Sequence, residues 1–343
     1  MNPRNANYDD QHLINAESTY FSTEDFNSKI NSQSRKNHDI NLNTPPFSLL
    51  HINARSLNKN FDSVELLLSS LQNFQFTIIG ISETWLHSNS PPLFNIDNYH
   101  MYRSDRARGK GGGVALYIHT NTKIKLRPDL HIHNTEDLFI EILNDKTKNK
   151  IVGVIYRPPN NNIDLFLEQF DECLNKISQE NKEVYIMGDL NINLLNTNNN
   201  NSLKLMSSLA AYSFHSHIND PTRISNTSKS LIDNIFSNVI NKPFINGVLY
   251  YDISDHLPIF IVTSQSEPTQ NTNKSKYKMY RKETKRNVDL LNYDLAQEEW
   301  SDVLNETDVE MAYQNFISKL LFLYEKKSPL QKLILLIRQN NHG

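Results

Sequence analysis

The chain contains a single cysteine, Cys173, in 343 residues. That excludes an intrachain disulfide and a cysteine-based zinc site, and it suits a reducing nuclear or cytoplasmic setting. Long apolar runs are also missing. The longest late one, residues 330–337, is interrupted by Gln331 and Lys332 and falls well short of a membrane span. Residues 1–47 lack the charged-then-apolar layout of a signal peptide, so the expectation is an intracellular, soluble protein with no membrane partner. Charge of one sign is scarce: 35 Lys+Arg against 38 Asp+Glu give a formal net charge of −3. Whole-molecule attraction to nucleic acid is therefore excluded, and any such binding would need local patches. Glycine is sparse, with 9 residues, and Gly111–Gly113 lacks the Lys-Ser/Thr that completes a phosphate-cradling P-loop. It reads as a tight entry to a strand. No internal repeat of solenoid length is present.

What is there is aromatic and apolar enough for a sizeable core: 16 Phe and 15 Tyr within a hydrophobic content of 38%. Asparagine is far above average usage and clusters at Asn160–Asn162 and Asn198–Asn201, which reads as nucleotide bias of the coding sequence. Residues 1–45 are polar and predict a mobile extension. From Phe47 the grammar changes to strand then helix. Strand character marks residues 47–52, 76–81, 113–119, 138–143, 151–156, 184–187, 232–237 and 257–263, and helical spacing marks 61–71, 166–177 and 203–212. A mixed α/β layered domain over residues 46–264 follows. Residues 265–287 read as a polar and then basic linker, and 288–343 as a helical connector.

Five short blocks stand at the ends of these apolar runs and carry the candidate chemistry. Glu83 in Ser-Glu-Thr-Trp-Leu is the best candidate for a direct Mg²⁺ ligand, since Mg²⁺ prefers hard oxygen donors. A solvated loop glutamate is the plain alternative. Asn53 could ligate the metal or its water through oxygen and contact phosphate through its NH₂, or simply cap a turn or helix. Asp189 and Asn191 in Gly-Asp-Leu-Asn sit at alternate positions, hence on one side of an extended chain. They could activate water and fix the phosphate or nucleophile, or form an ordinary Asx turn.

His256, after Asp255, could stabilise phosphoryl charge or handle a proton, or be a satisfied edge histidine. Asp255 cannot easily bond its direct neighbour's ring, which makes Asp233 the candidate to orient His256. Tyr156 could bond a phosphate oxygen or pack in the core, and Thr222 could position a phosphate or close a turn. Arg103, Arg106, Arg108 and Lys110 form a dense basic loop suited to phosphate-backbone contact or to plain solvation.

In order and approximate spacing, the phrases NARSL, SETWL, GGGVALYI, YRPP, GDLNIN, DPTR, IDNIF and SDHLPI resemble the endonuclease/exonuclease/phosphatase superfamily. Within it they look like the apurinic-type endonuclease domain of non-LTR (LINE, jockey-like) retrotransposons. The resemblance implies a four-layered α/β (α+β) sandwich of two mixed β-sheets flanked by helices, with Mg²⁺, or alternatively Mn²⁺, as cofactor. It implies Asn53 and Glu83 at the metal, Tyr156 at the phosphate, Asp189 with Asn191 as the water-activating pair, and Asp233 behind His256. Asp255 would assist at the metal or leaving group, and Thr222 is a weaker phosphate contact.

The implied activity is a DNA nick leaving a 3′-hydroxyl for primed reverse transcription. Implied partners are DNA, element RNA and a reverse transcriptase supplied elsewhere, and the chain is expected to act as a monomer. A catalytically idle nucleic-acid-binding remnant, or another phosphodiesterase or phosphatase on the same fold, is the alternative. Arg55 stands where repair-type relatives carry an acidic residue, which points away from abasic-site repair. Residues 288–329 look like the connector before the polymerase, including Glu299-Trp300 and Ala312-Tyr313-x-x-Phe316. The expectation is a truncated element or an early-ending gene.

Overall fold

Apolar runs that lack period-two alternation become strands covered on both faces, as buried central strands require. The computed structural model describes residues 19–36, then 46–263 apart from 73, 108, 145–147, 197–198, 226, 241 and 243, and 277–334 apart from 282–283 and 329. These fall in two compact units, 1–267 and 268–343.

In the first unit β1 (Thr19–Phe21) and α1 (Thr23–Lys36) precede β2 (Ser48–Asn53), α2 (Leu57–Ser70), β3 (Ile78–Ser82), β4 (Tyr99–Ser104) and β5 (Val114–His119). Then come β6 (Ile124–Leu126), β7 (Glu136–Ile142), β8 (Lys150–Tyr156), α3 (Ile163–Ser178), β9 (Glu183–Asp189) and α4 (Asn200–Ala211). The last six strands are β10 (His215–Ser216), β11 (Arg223–Ile224), β12 (Lys229–Ser230), β13 (Asp233–Ser237), β14 (Phe244–Leu249) and β15 (Ile259–Thr263). They form a seven-stranded sheet ordered β1-β14-β15-β2-β3-β5-β4 and a six-stranded sheet ordered β10-β13-β9-β8-β7-β6, with β11-β12 as a separate ribbon. Both large sheets mix parallel and antiparallel pairs.

Three apolar clusters show the layering. Leu49, Ile78 and Leu116 of the first sheet meet Val152, Val154 and Met187 of the second in one central core. On the outer face of the first sheet, Leu50, Ile79 and Phe260 pack under Phe26 of α1 and Val64 and Leu67 of α2. Beyond the second sheet, Phe139, Ile151 and Ile186 pack under Phe166, Phe170 and Leu205 from α3 and α4. Helix, sheet, sheet and helix make the four-layered sandwich that the resemblance implied. Gly80 faces Met187 across the central core, where an added Cβ would lie 2.7 Å from the methionine methyl, so the sheets approach closely there.

The extension expected over residues 1–45 differs from the structure at 19–36; residues 1–18 and 37–45 lie outside the described residues. β1 pairs in parallel with β14, and Phe26 is buried in an edge-to-face arrangement with Phe74 and Phe260. Two aromatics, Phe21 and Phe26, supply the apolar burial that the polar composition of the segment concealed. The asparagine clusters also do structural work. Asn162 Oδ1 accepts from the backbone N–H groups of Asp164 and Leu165, and Asn199 Oδ1 from that of Asn201, capping α3 and α4.

In the second unit β16 (Tyr277–Arg281) pairs antiparallel with β17 (Leu330–Ile334). Between them in sequence lie α5 (Lys285–Gln297), α6 (Ser301–Leu304) and α7 (Val309–Lys327). β16 lies inside the stretch expected to be a linker, and β17 inside the expected helical connector. Among the described residues no helix is long and apolar enough to cross a membrane.

Candidate active site

Along the inner faces of both sheets the side chains change from apolar to polar as the strands reach one rim. On β2 the alternate residues are Leu49, His51 and Asn53; on β9 they are Tyr185, Met187 and Asp189. Across the second sheet Glu136 pairs with Tyr156, Tyr156 with Asp189, and Asp189 with Asp233. Directly paired residues share a face, so one row of register places four polar groups side by side. The first sheet answers with Asn53, paired with Ser82.

Asn53 joins the two sheets. Its Nδ2 donates to Glu83 Oε1 at 3.0 Å and to Asp189 Oδ2 at 2.9 Å, and its Oδ1 accepts from the Arg55 backbone N–H. Glu83 follows β3 with a left-handed φ of 53°, and its other oxygen accepts from the indole N–H of Trp85 at 3.0 Å. Arg55, Ser56, Trp85 and Asn191 also have positive φ. Non-glycine residues held there carry backbone strain, and their gathering at one rim is typical of working sites.

Asp189 is fully buried. Burial first, then the neighbouring Asp233, pushes its carboxyl up to about 8, despite a hydrogen bond from the Asn191 N–H. Asn191 does not reach into the site with its amide; Nδ2 donates to the Arg157 carbonyl at 2.9 Å. Arg157, buried, donates in return to the carbonyls of Leu190 at 2.6 Å and Asn191 at 2.9 Å. The loop after β9 is thus clamped from beneath, a role that the phrase Arg-Pro-Pro did not disclose.

Asp233 Oδ2 accepts from His256 Nδ1 at 2.8 Å and from Thr222 Oγ1 at 2.8 Å. Asp233, the residue expected beside His256, thus contacts its ring directly. Burial works to lower the imidazole, but the charge and hydrogen bond of Asp233 reverse this and raise it to about 9. His256 is a cation at neutral pH, with Nε2–H left to donate.

Thr222 corrects its expectation: it is fully buried and its hydroxyl is spent on Asp233 and on accepting the Asp233 N–H, so it serves the carboxylate and not a phosphate. His51, which sequence reasoning overlooked, lies with Nδ1 at 4.0 Å from Asp233 Oδ1, and burial pulls it down to about 4. Its place two residues before Asn53 on the same strand face was the available signal.

Tyr156 stands in the register row, its phenol pushed up by burial and then by Glu83 and Asp189. The expected basic loop is taken apart. Arg103 belongs to β4 and pairs with Asp105 at 3.5 Å. Arg106 is committed to Glu136, at 2.7 and 3.2 Å, with its guanidinium 5.8 Å from the Tyr156 ring centroid. Lys110 lies 5.7 Å from the Trp85 ring, and Arg108 falls outside the described residues. Asp255 accepts from Arg55 at 2.6 Å and Arg223 at 2.7 Å.

Glu83, Asp189 and His256 bring ligand-type atoms within 4.8 Å of one another. His256 is the least suited of the three, because its ring is protonated and held by Asp233. The fit to a divalent cation rests on the oxygen donors: the Glu83 charge is one of the causes that disfavour ionisation of Asp189, and a hard cation beside them would offset it.

The same charges set a pH dependence. Carboxyl and imidazole groups with raised native pKa values stabilise the fold while protonated, and that contribution is lost as pH rises through the native values. For Asp189 the loss runs from about 4 to about 8, and for His256 from about 6.5 to about 9. In chelator, thermal unfolding is expected to shift down between pH 7 and 9 by on the order of 3 kcal/mol. Asp189→Asn should flatten much of that slope, and Mg²⁺ should recover the wild-type melting temperature at the alkaline end. A melting temperature that is level over this range would contradict the assigned protonation states.

Two carboxylates, a carboxamide and an aspartate-held imidazole thus stand together at one rim of the sandwich. The chain belongs to the endonuclease/exonuclease/phosphatase family, whose model matches residues 49–256. Members of that family are metal-dependent nucleases and phosphodiesterases. The catalytic domain of Xenopus laevis APE2 is similar with a TM-score of 0.50 at 16% identity, over 64% of this chain and 92% of that one. The 3′ phosphatase NExo from Neisseria, bound to a product DNA hairpin, is similar with a TM-score of 0.50 at 13% identity, over 63% and 98%. The endonuclease domain of TRAS1, a telomere-specific non-LTR retrotransposon, gives 0.49 at 16% identity, over 64% and 98%. At these identities the likeness is one of fold. No curated protein sequence matches the chain.

Proposed function

We propose that the chain is a Mg²⁺-dependent DNA endonuclease of the non-LTR retrotransposon kind, cleaving a phosphodiester to leave a 3′-hydroxyl. The observation that carries the reading is the pairing of a buried, high-pKa carboxylate, Asp189, with an imidazolium, His256, across one rim. Both are anchored through a single strand pair. The eight sequence phrases supply the retrotransposon part of the reading.

Asp189, once ionised, takes the proton of an attacking water, and Asn191 holds it in place through its backbone N–H. His256 donates from Nε2 to a phosphoryl oxygen as negative charge builds, and Asp233 keeps the ring oriented and charged. The P–O3′ bond breaks opposite the attacking water, and the departing 3′ oxygen takes up a proton from solvent to become the 3′-hydroxyl. Tyr156 offers its neutral phenol to a second phosphoryl oxygen. Glu83 and the Asn53 carboxamide would hold the cation, which would supply Lewis-acid stabilisation of the phosphoryl charge.

On this reading DNA is the substrate, and element RNA and a reverse transcriptase act after the nick. The chain works as a monomer, with Mn²⁺ able to replace Mg²⁺. Supercoiled plasmid incubated with protein and Mg²⁺ should convert to the relaxed form, EDTA should stop the conversion, and added Mg²⁺ should restore it. Conversion that continues undiminished in EDTA, or none with either metal, would refute the proposal.

A further inference from the structure

Beside the catalytic rim two arginines converge on one carboxylate oxygen. Arg55 Nη1 lies 2.6 Å from Asp255 Oδ2, and Arg223 reaches the same oxygen through Nη2 at 2.7 Å and Nε at 2.9 Å. The other oxygen, Oδ1, is buried and has no hydrogen-bond partner among the described residues. Two guanidinium charges against one carboxylate leave a net positive charge, and both arginine side chains stay open to solvent, 50% and 45% exposed. A guanidinium has five N–H donors, so several on each arginine remain available after the contacts to Asp255.

Neither side chain hangs from a loose loop. Arg55 follows Asn53 by two residues, and its backbone N–H donates to the Asn53 carboxamide. Its φ of 40° and that of Ser56, 89°, mark a strained turn, pinned by the Ser56 N–H on the Glu83 carbonyl at 2.9 Å. Arg223 forms a β-bridge with His256, and the next hydrogen bond, from the Leu257 N–H to the Thr222 carbonyl, is 2.7 Å. Asp255 precedes His256, and Ser254 Oγ ties this turn to the Asn53 carbonyl at 2.7 Å. The fork is thus built on the same backbone that holds the cation-side carboxamide and the imidazolium.

We infer that Arg55 and Arg223, bridged by Asp255, form a subsite for a backbone phosphate next to the scissile one. The inference rests on the endonuclease reading for which phosphate is scissile. Its ligand class is a phosphodiester chain and not a lone phosphate ester. Planar guanidinium groups match phosphate oxygens bidentately, and a carboxylate between them fixes their spacing and keeps them from collapsing on Glu83. Asp255 is then a positioning residue for the fork, in addition to its nearness to His256.

Two measurements on the full chain test this. Binding of a short fluorescent DNA duplex in EDTA is followed by anisotropy over a salt series. Arg55→Ala and Arg223→Ala should each weaken binding by about tenfold and lower the log–log salt slope by about one, and Arg55→Lys should restore the slope. Hydrolysis of bis(p-nitrophenyl) phosphate, which has a single phosphate, is measured with Mg²⁺. The loss on DNA should exceed the loss on this ester by about tenfold. Each single substitution leaves Asp255 one arginine, so the fold should hold, and circular dichroism checks it. Unchanged affinity and slope, wild-type failure to bind DNA, or equal losses on both substrates would overturn the subsite. Wild-type hydrolysis of neither substrate would instead refute the endonuclease reading, while the binding series still decides the fork.

Discussion

Asp189→Ala or His256→Ala is expected to slow plasmid nicking by about a thousandfold or more, measured with Mg²⁺ at neutral pH. The two losses have different causes. Without Asp189 no buried base faces the attacking water, because Glu83 is engaged with Asn53 and Trp85. Without His256 the charge developing on the phosphoryl oxygen would lose a cationic donor, and the buried Asp233 carboxylate would be left with the Thr222 hydroxyl on Oδ2 and with His51 Nδ1 4.0 Å from Oδ1. His256→Ala should therefore lower stability through that charge as well as rate, whereas Asp189→Ala removes a carboxyl whose ionisation burial already disfavours. Asp233→Asn should fall between: the imidazole keeps its place but loses the charge that raises it. Nicking within tenfold of wild type for both alanine variants would sink the assigned roles.

Gly188→Ala should prevent stable folding of the first unit. A Cβ built on Gly188 would lie 1.8 Å from the backbone carbonyl oxygen of Ile155, its register partner on β8, and the glycine's φ of 152° adds strain for any side chain. The obstacle is main chain inside a parallel strand pair, which cannot swing aside. The cost is expected at about 4 kcal/mol or more. Gly153→Ala is the informative control: the three atoms nearest its Cβ are all of the Phe139 ring, the closest at 2.3 Å, and a ring can turn, so about 1–3 kcal/mol is expected. Urea midpoints of the two variants measure the difference. A Gly188→Ala protein with a wild-type midpoint would mean that β8 and β9 are not paired in this register.

Much of the central sandwich could be read from the chain because its strands are covered on both faces and so appear as unbroken apolar runs, such as residues 151–156 and 184–187. β4 and β14 could not. Tyr99–Ser104 is a polar edge strand, and Phe244–Leu249 carries Asn246 and Gly247 in its middle, so neither shows an apolar run. Site residues that end strands, such as Asp189 and Asn53, announced themselves by breaking a run. Asp233 was found through the requirement that something must hold His256.

Arg106 was misread because a local cluster of positive charge says nothing of its partner, and Glu136 lies 30 residues away. Arg157 and His51 were invisible for a related reason. Their value depends on carbonyls and carboxylates that only the folded chain brings near.

The register row Glu136, Tyr156, Asp189 and Asp233 also limits how this chain can vary in length. One residue gained or lost within β7, β8, β9 or β13 would turn everything beyond it to the opposite face and disperse the row. A change of length in the connections between those strands does not by itself turn a strand over, although Arg157, Asn191 and Thr222 tie parts of them to the rim. The asparagines at 160–162 and 199–201 lie outside those strands, so coding drift there is limited by the caps that Asn162 and Asn199 place on α3 and α4 and not by the facing of the rim.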